Sequence, residues 1–142
     1  MCKLMRPSRF TKKILYPSLL LIAISGITWL IGHYFLEIQG EFGPEKHPLE
    51  IWSLRLHGFF AVFGLLCLGM LLEHHIKTYL KHPKRWWTGL PLLAVWIWLV
   101  ISGYLLYYLI DDQWHNAFSL GHWIVGLISV LAAYLHIVGK KY

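Results

Sequence analysis

The sequence predicts an all-α membrane protein, a bundle of four transmembrane helices with both termini in the cytoplasm. Hydrophobic residues make up 57% of the 142 residues and charged residues only 14%, whereas soluble domains carry about 25% charged residues. A soluble core of this size could not bury so much apolar surface, so lipid has to cover it. The length allows a single domain, residues 1–142.

Four apolar stretches are each long enough to cross a hydrocarbon core, which takes about 20 residues of helix. They run over Ile14–Leu36, Leu49–Leu72, Trp87–Ile110 and Trp114–Val138. Backbone in lipid is satisfied only in helices or closed barrels. Barrel strands alternate in polarity over about 10 residues, and these stretches do not, so we expect helices.

The charges predict the orientation of these helices. Eleven of the thirteen Lys and Arg residues lie before the first span, between the second and third, or after the fourth. Most acidic residues lie in the two remaining loops. By the positive-inside rule the first set faces the cytoplasm, so we expect a multi-pass membrane protein with both termini on that side. The net charge of +6 thus reflects topology and membrane lipid, and we expect no nucleic-acid partner.

A weak internal repeat links the two halves of the chain. Spans one and three carry Ser-Gly, as Ser25-Gly26 and Ser102-Gly103. Setting Gly64 on Gly126 also sets His74 on His136. The pattern favours two helical hairpins related by duplication, with chance as the alternative because glycine is common in membrane helices.

Histidines in the spans are the main functional signal, because polar residues at membrane depth mark function by default. His122 and His136 are fourteen residues apart, which is about 21 Å along a helix and about 40° off one face. Span two runs in the same direction and places His57 near the outer level. Near the inner level it offers His75, which shares a face with His57, or His74, which matches the repeat.

Two histidines at one depth on two helices can hold a flat macrocycle through axial Nε2 ligation. The sequence therefore predicts two b-type haems, with a single haem as the alternative. His57 and His122 would bind the outer haem, and His136 would bind the inner haem with His74 or His75.

Other residues are predicted to surround these haems. Small residues leave room where a porphyrin lies against a helix, as at Gly58, Gly64 and Gly126. Four residues with a cationic or imidazole side chain are predicted to lie near the haem propionates or a quinone: His33, Arg55, Lys77 and Lys140. No other metal and no catalytic residue is predicted.

The last span, reading His122-Trp-Ile-Val-Gly126 and then His136, resembles the bacterial four-helix dihaem cytochrome b group. That group includes bacterial cytochrome b561 and the cytochrome b subunits of formate dehydrogenase and nickel-iron hydrogenase. The resemblance covers all four spans and is specific in spans two and four. It implies that His122 and His136 bind different haems and that His57 pairs with His122.

One departure from the group concerns the inner haem. Much of the group takes the second inner ligand from the first helix, but residues 14–32 contain no histidine. Either His74 or His75 replaces that ligand, or the inner haem is missing.

The expected function is electron transfer between the quinone pool and a periplasmic partner, a c-type cytochrome or an iron–sulfur protein. Iron with two histidine ligands has no open position, so it carries electrons. We therefore expect a subunit of a larger membrane oxidoreductase, not a catalyst alone. The alternatives are a haem-free structural or assembly subunit and a small histidine-lined metal or proton carrier.

Overall fold

The computed structural model describes residues 8–77 and 86–138, with the backbone alone at 74 and 86–88. The chain divides into two compact units, Met1–His82 and Pro83–Tyr142. The described part of each unit is a helical hairpin. The first contains α1 (Arg9–Phe35) and α2 (Pro48–Leu71). The second contains α3 (Trp86–Leu105) and α4 (Asp112–Val138).

Local capping explains where the first two helices begin. The Ser8 hydroxyl accepts a hydrogen bond from the Thr11 backbone N–H at 3.0 Å, so α1 begins five residues before the predicted span. Pro48 opens α2 at a position where the missing N–H costs nothing, and the ring of His47 caps the helix by accepting from Leu49 N–H at 3.1 Å.

Three of the four helices, α1, α2 and α4, are long and apolar enough to cross a membrane. The described apolar part of α3, Gly89–Leu105, is shorter. Helix α3 also ends five residues before the predicted limit at Ile110, because the chain turns after Leu105. The helical prediction is thus confirmed, and three spans indicate a membrane protein.

The described residues have an inverted distribution of polarity. Among them the buried apolar side chains are Leu15 and Cys67, while the buried polar residues are Thr11, Ser18, Ser25, Glu50, Ser53 and Ser102. Large apolar side chains cover the outside. A soluble protein would show the opposite, so the surface is suited to lipid.

The buried serines satisfy themselves on their own helices. Ser18, Ser25 and Ser102 each donate to the backbone carbonyl four residues earlier, at 2.7 Å. This bond uses the single hydroxyl hydrogen and leaves the oxygen able to accept from a neighbouring helix.

A short β-hairpin joins α1 to α2 and was not predicted. Strand β1 (Glu37–Gly40) pairs antiparallel with β2 (Gly43–Lys46), with Gly40 opposite Gly43. Gly43 has φ +124°, which only glycine adopts without strain. Two residues between two glycines are typical of a β-hairpin loop, and this signal does not depend on apolar stretches.

The end of α2 changes its winding. A π-helical segment, Leu72–Ile76, follows α2 directly and contains His74 and His75. Such segments are rare and frequently occur at functional sites.

The charge distribution predicts that the end of the first unit with the β-hairpin faces outward. In a Cys2→Ser, Cys67→Ala background, Glu41→Cys should react with a membrane-impermeant maleimide on intact cells, because residue 41 lies in the β-turn. Lys13→Cys, at the opposite end of α1, should react only after the cells are permeabilised. Labelling with the reverse pattern would invert the predicted orientation.

Candidate functional site

His57 on α2 packs its ring against α1. Its Nδ1 lies 3.0 Å from the carbonyl oxygen of Ile22 and 3.2 Å from the Ser25 hydroxyl. The carbonyl can only accept, and Ser25 donates its own hydrogen to Leu21, so Nδ1 must be the donor. A charged imidazole is costly at membrane depth. The ring is therefore assigned as the neutral tautomer with its hydrogen on Nδ1 and a lone pair on Nε2.

His122 on α4 repeats this arrangement against α3. Its Nδ1 lies 2.8 Å from the Ser102 hydroxyl, and Ser102 donates its hydrogen to the carbonyl of Trp98 at 2.7 Å. Ser102 is fully buried. With the hydroxyl hydrogen of Ser102 assigned to the Trp98 carbonyl, the serine oxygen accepts from Nδ1, and His122 is assigned the same tautomer as His57.

A glycine beside each serine gives the ring its place. A Cβ built on Gly26 would lie 3.3 Å from Cε1 of His57, and one on Gly103 would lie 3.2 Å from Cε1 of His122. A side chain at either position would push the imidazole away. In each hairpin the Ser-Gly pair therefore forms the contact surface for one histidine ring, and we call this surface the histidine seat.

These contacts support the duplication but change its register. His122 follows His57 by 65 positions, whereas the predicted superposition of Gly126 on Gly64 uses 62. With the spacing of the contacts, the position equivalent to His136 is Leu71 and not His74. The repeat therefore covers the outer histidines and does not extend to the inner ones.

His136 lies on the same side of α4 as His122. A Cβ on Gly89 would lie 4.0 Å from Cε1 of His136. Gly89 and Gly103 are fourteen residues apart, as are His122 and His136, so both rings follow one antiparallel register against α3. This agrees with the single stripe predicted for them.

The inner histidines of the first unit sit in the π-helical segment. His75 is half-buried, and only the backbone of His74 is described. Hydrogen bonds from i to i+5 widen the turn. The argument that put His75 on the face of His57 assumed an unbroken α-helix, so it does not carry across these residues.

Two of the cationic residues predicted near propionates, Arg55 and Lys77, have partners in the chain. The Arg55 guanidinium lies 5.1 Å from the ring centroid of Trp52. Lys77 forms an exposed ion pair with Glu73, at 2.6 Å. Lys140 lies outside the described residues.

His33 is engaged by a carboxylate that the sequence analysis did not single out. Its Nδ1 lies 2.8 Å from Oε1 of Glu50, and Lys46 reaches the same oxygen at 3.0 Å. The His33 ring also stacks on Trp29, with centroids 4.8 Å apart. A propionate at Nδ1 would have to displace Glu50. The signal that could have found Glu50 is its place in the first turn of a predicted span, as an acidic residue in an apolar stretch.

Two of the glycines predicted to make room for haem pack within their own hairpins. A Cβ on Gly64 would lie 2.9 Å from Ile22, and one on Gly126 would lie 3.9 Å from Leu99. Helix packing alone accounts for Gly64. Gly58 is half-buried.

Among residues 8–77 and 86–138, no group of three or more His, Cys, Asp or Glu side chains could hold a bare metal ion. A metal that brings its own equatorial ligands needs only axial donors from the protein. Comparison of the chain with protein-family models, with curated proteins and with solved structures finds no match in any of the three.

Proposed function

We propose that this chain is a membrane cytochrome b subunit that carries electrons through b-type haem between the quinone pool and a periplasmic redox partner. His57 and His122 are the proposed axial ligands of an outer haem. The proposed setting is the bacterial inner membrane, with both termini cytoplasmic.

The repeated seat of these two histidines is the observation that carries the proposal. In each hairpin a serine hydroxyl lies within hydrogen-bond distance of Nδ1 and a glycine borders the ring. Metal-bound histidines almost always donate their other ring N–H to a protein acceptor, which fixes the tautomer and the ring orientation. The tautomer assigned to both rings is the one that an Nε2 ligand requires.

The donor set fits haem better than a bare ion. Haem supplies four equatorial nitrogens and a one-electron couple, so the protein adds only two imidazoles. The chain then does three things: it presents Nε2, holds Nδ1–H on a fixed acceptor, and keeps water away with apolar helices.

A second, inner haem is proposed with His136 and either His74 or His75. Its support is the shared register of His122 and His136 against α3. The proposed partners are a c-type cytochrome or an iron–sulfur protein outside the membrane, within a larger oxidoreductase.

One observation favours a second candidate function. The Ser25–His57 and Ser102–His122 bonds each join two helices, and interhelical hydrogen bonds of this kind stabilise membrane bundles by about 0.6 kcal/mol each. A haem-free structural or assembly subunit would need no more from these residues.

Spectroscopy of the purified chain separates the two functions. The haem subunit should show a reduced-minus-oxidised α-band of b-type haem and about two haems per chain, or one if only the outer site fills. His57→Gln and His122→Gln should each remove the outer haem, and the control His115→Gln should keep it. A colourless protein purified from haem-replete cells would contradict the haem proposal and favour the structural function.

The serines should tune the outer haem without being required for it. A hydrogen bond from Nδ1–H makes the imidazole a stronger donor and favours ferric iron. Ser102→Ala should thus raise the midpoint potential, by about 40 mV for a bond of about 1 kcal/mol. Redox titration measures this shift.

The matched control for that titration is Ser129→Ala. Ser129 lies on the same helix as His122 and donates to the carbonyl of Gly126 at 2.6 Å. Equal potentials in the two variants and the unaltered protein would rule out the proposed role of Ser102.

A further inference from the structure

Arg55 is the one Lys, Arg, Asp or Glu residue between Ile51 and Leu71 of α2. It follows Pro48 by seven residues, which is about 10 Å along the helix. A charge that far into a membrane helix is costly unless an anion compensates it. Arg55 is exposed, so an anion from outside the chain can approach its guanidinium.

The chain itself supplies no such anion in the part that the structure describes. The ion pairs there join His33 and Lys46 to Glu50, and Lys77 to Glu73. The contact of the guanidinium is the face of the Trp52 ring, at 5.1 Å from its centroid. A ring face attracts the positive charge but cannot accept hydrogen bonds from all five N–H groups of a guanidinium.

The surface around Arg55 is apolar. Residues three or four apart are neighbours on a helix surface, and here they are Ile51, Trp52 and Phe59, with 52%, 59% and 58% of their surfaces exposed. The same face continues to Val62, which is 54% exposed. A ligand of Arg55 therefore meets one cation at the edge of an apolar strip, which suits a molecule with an anionic head and hydrocarbon chains.

The side chain of Arg55 is directed toward the end of α2 that carries the β-hairpin. Trp52 lies three residues nearer to that end, so the contact with its ring brings the guanidinium toward the membrane surface. Tryptophan at the ends of membrane helices marks the level of the lipid headgroups, and long cationic side chains reach toward that level. The anion available there is the lipid phosphate.

The histidine seat of the first hairpin lies on another side of α2. Arg55 and His57 are two residues apart, which is about 200° around an α-helix, so their side chains leave opposite sides of α2. The position of Arg55 thus favours lipid over a group bound to His57.

We propose that Arg55, held against Trp52, binds the phosphate of an anionic phospholipid whose acyl chains lie along Ile51 and Phe59. The planar guanidinium can donate two parallel hydrogen bonds to phosphate oxygens. The site is independent of haem. Phosphatidylglycerol carries its phosphate without a compensating ammonium, whereas the choline of phosphatidylcholine neutralises it, so these two lipids discriminate the site.

The test titrates the haem-free full chain, in a non-ionic detergent, with dihexanoyl phosphatidylglycerol and separately with dihexanoyl phosphatidylcholine. Calorimetry measures both affinities after subtraction of the heats in protein-free micelles. The glycerol lipid should bind about 10-fold more tightly, as expected for charge-assisted hydrogen bonds, and the ratio should fall at high salt. Equal affinities at low salt would overturn the proposal.

Substitution locates the site. Arg55→Gln should reduce the affinity for the glycerol lipid to that for the choline lipid. Lys46→Gln is the matched control, since it removes one positive charge from the same end of the same hairpin and the Lys46 ammonium is engaged by Glu50 at 3.0 Å. Its affinity should be unchanged. Equal losses in both variants, or no loss in Arg55→Gln, would overturn the proposal.

Two further arms identify the source of the anion. Inorganic phosphate should bind much more weakly than the glycerol lipid, because it has no acyl chains to cover the apolar strip. Equal affinity for inorganic phosphate would overturn the lipid assignment. Equally tight binding of a short glutamate peptide would assign Arg55 to a protein partner and overturn it as well.

Discussion

The structure depends on one constraint of the lipid environment: a polar side chain buried there needs a partner within the protein. Each hairpin meets it in the same way. A serine donates its hydroxyl hydrogen to a carbonyl of its own helix, and its oxygen is the assigned acceptor for a histidine of the facing helix, as in Ser25–His57 and Ser102–His122. A glycine next to the serine lets the ring approach. With the serine oxygen as acceptor, the bond that satisfies the imidazole leaves the lone pair on Nε2.

Apolar runs were sufficient to predict the helices, because lipid imposes length and continuity on any segment that crosses it. The ends of the helices were harder to predict from the apolar runs. Ser8 extends α1 through a capping bond, and α3 ends at Leu105 although apolar residues continue to Ile110. The β-hairpin was missed because its residues are mostly polar and its signal lies in Gly40 and Gly43 rather than in hydrophobic periodicity.

Helical arithmetic worked where the helix stays regular. It put His122 and His136 on one face, and both rings lie on the side of α4 that faces glycines of α3. It does not apply at His75, because a π-helical segment intervenes and the angle per residue changes there. Helical arithmetic could not predict serine as the partner of histidine. That contact joins two helices, and their register depends on close packing at Gly26 and Gly103. The pairing of Glu50 with His33 was missed for the same reason.

The central claim, that both outer imidazoles carry their hydrogen on Nδ1, can be measured directly by ¹⁵N NMR of histidine-labelled, haem-free protein. The signals of His57 and His122 are assigned by their loss in the His57→Gln and His122→Gln variants. The account predicts a protonated Nδ1 and an unprotonated Nε2 for each ring. Protonation of Nε2 alone in either ring would contradict it, because a carbonyl or a serine oxygen that has spent its hydrogen cannot donate to Nδ1.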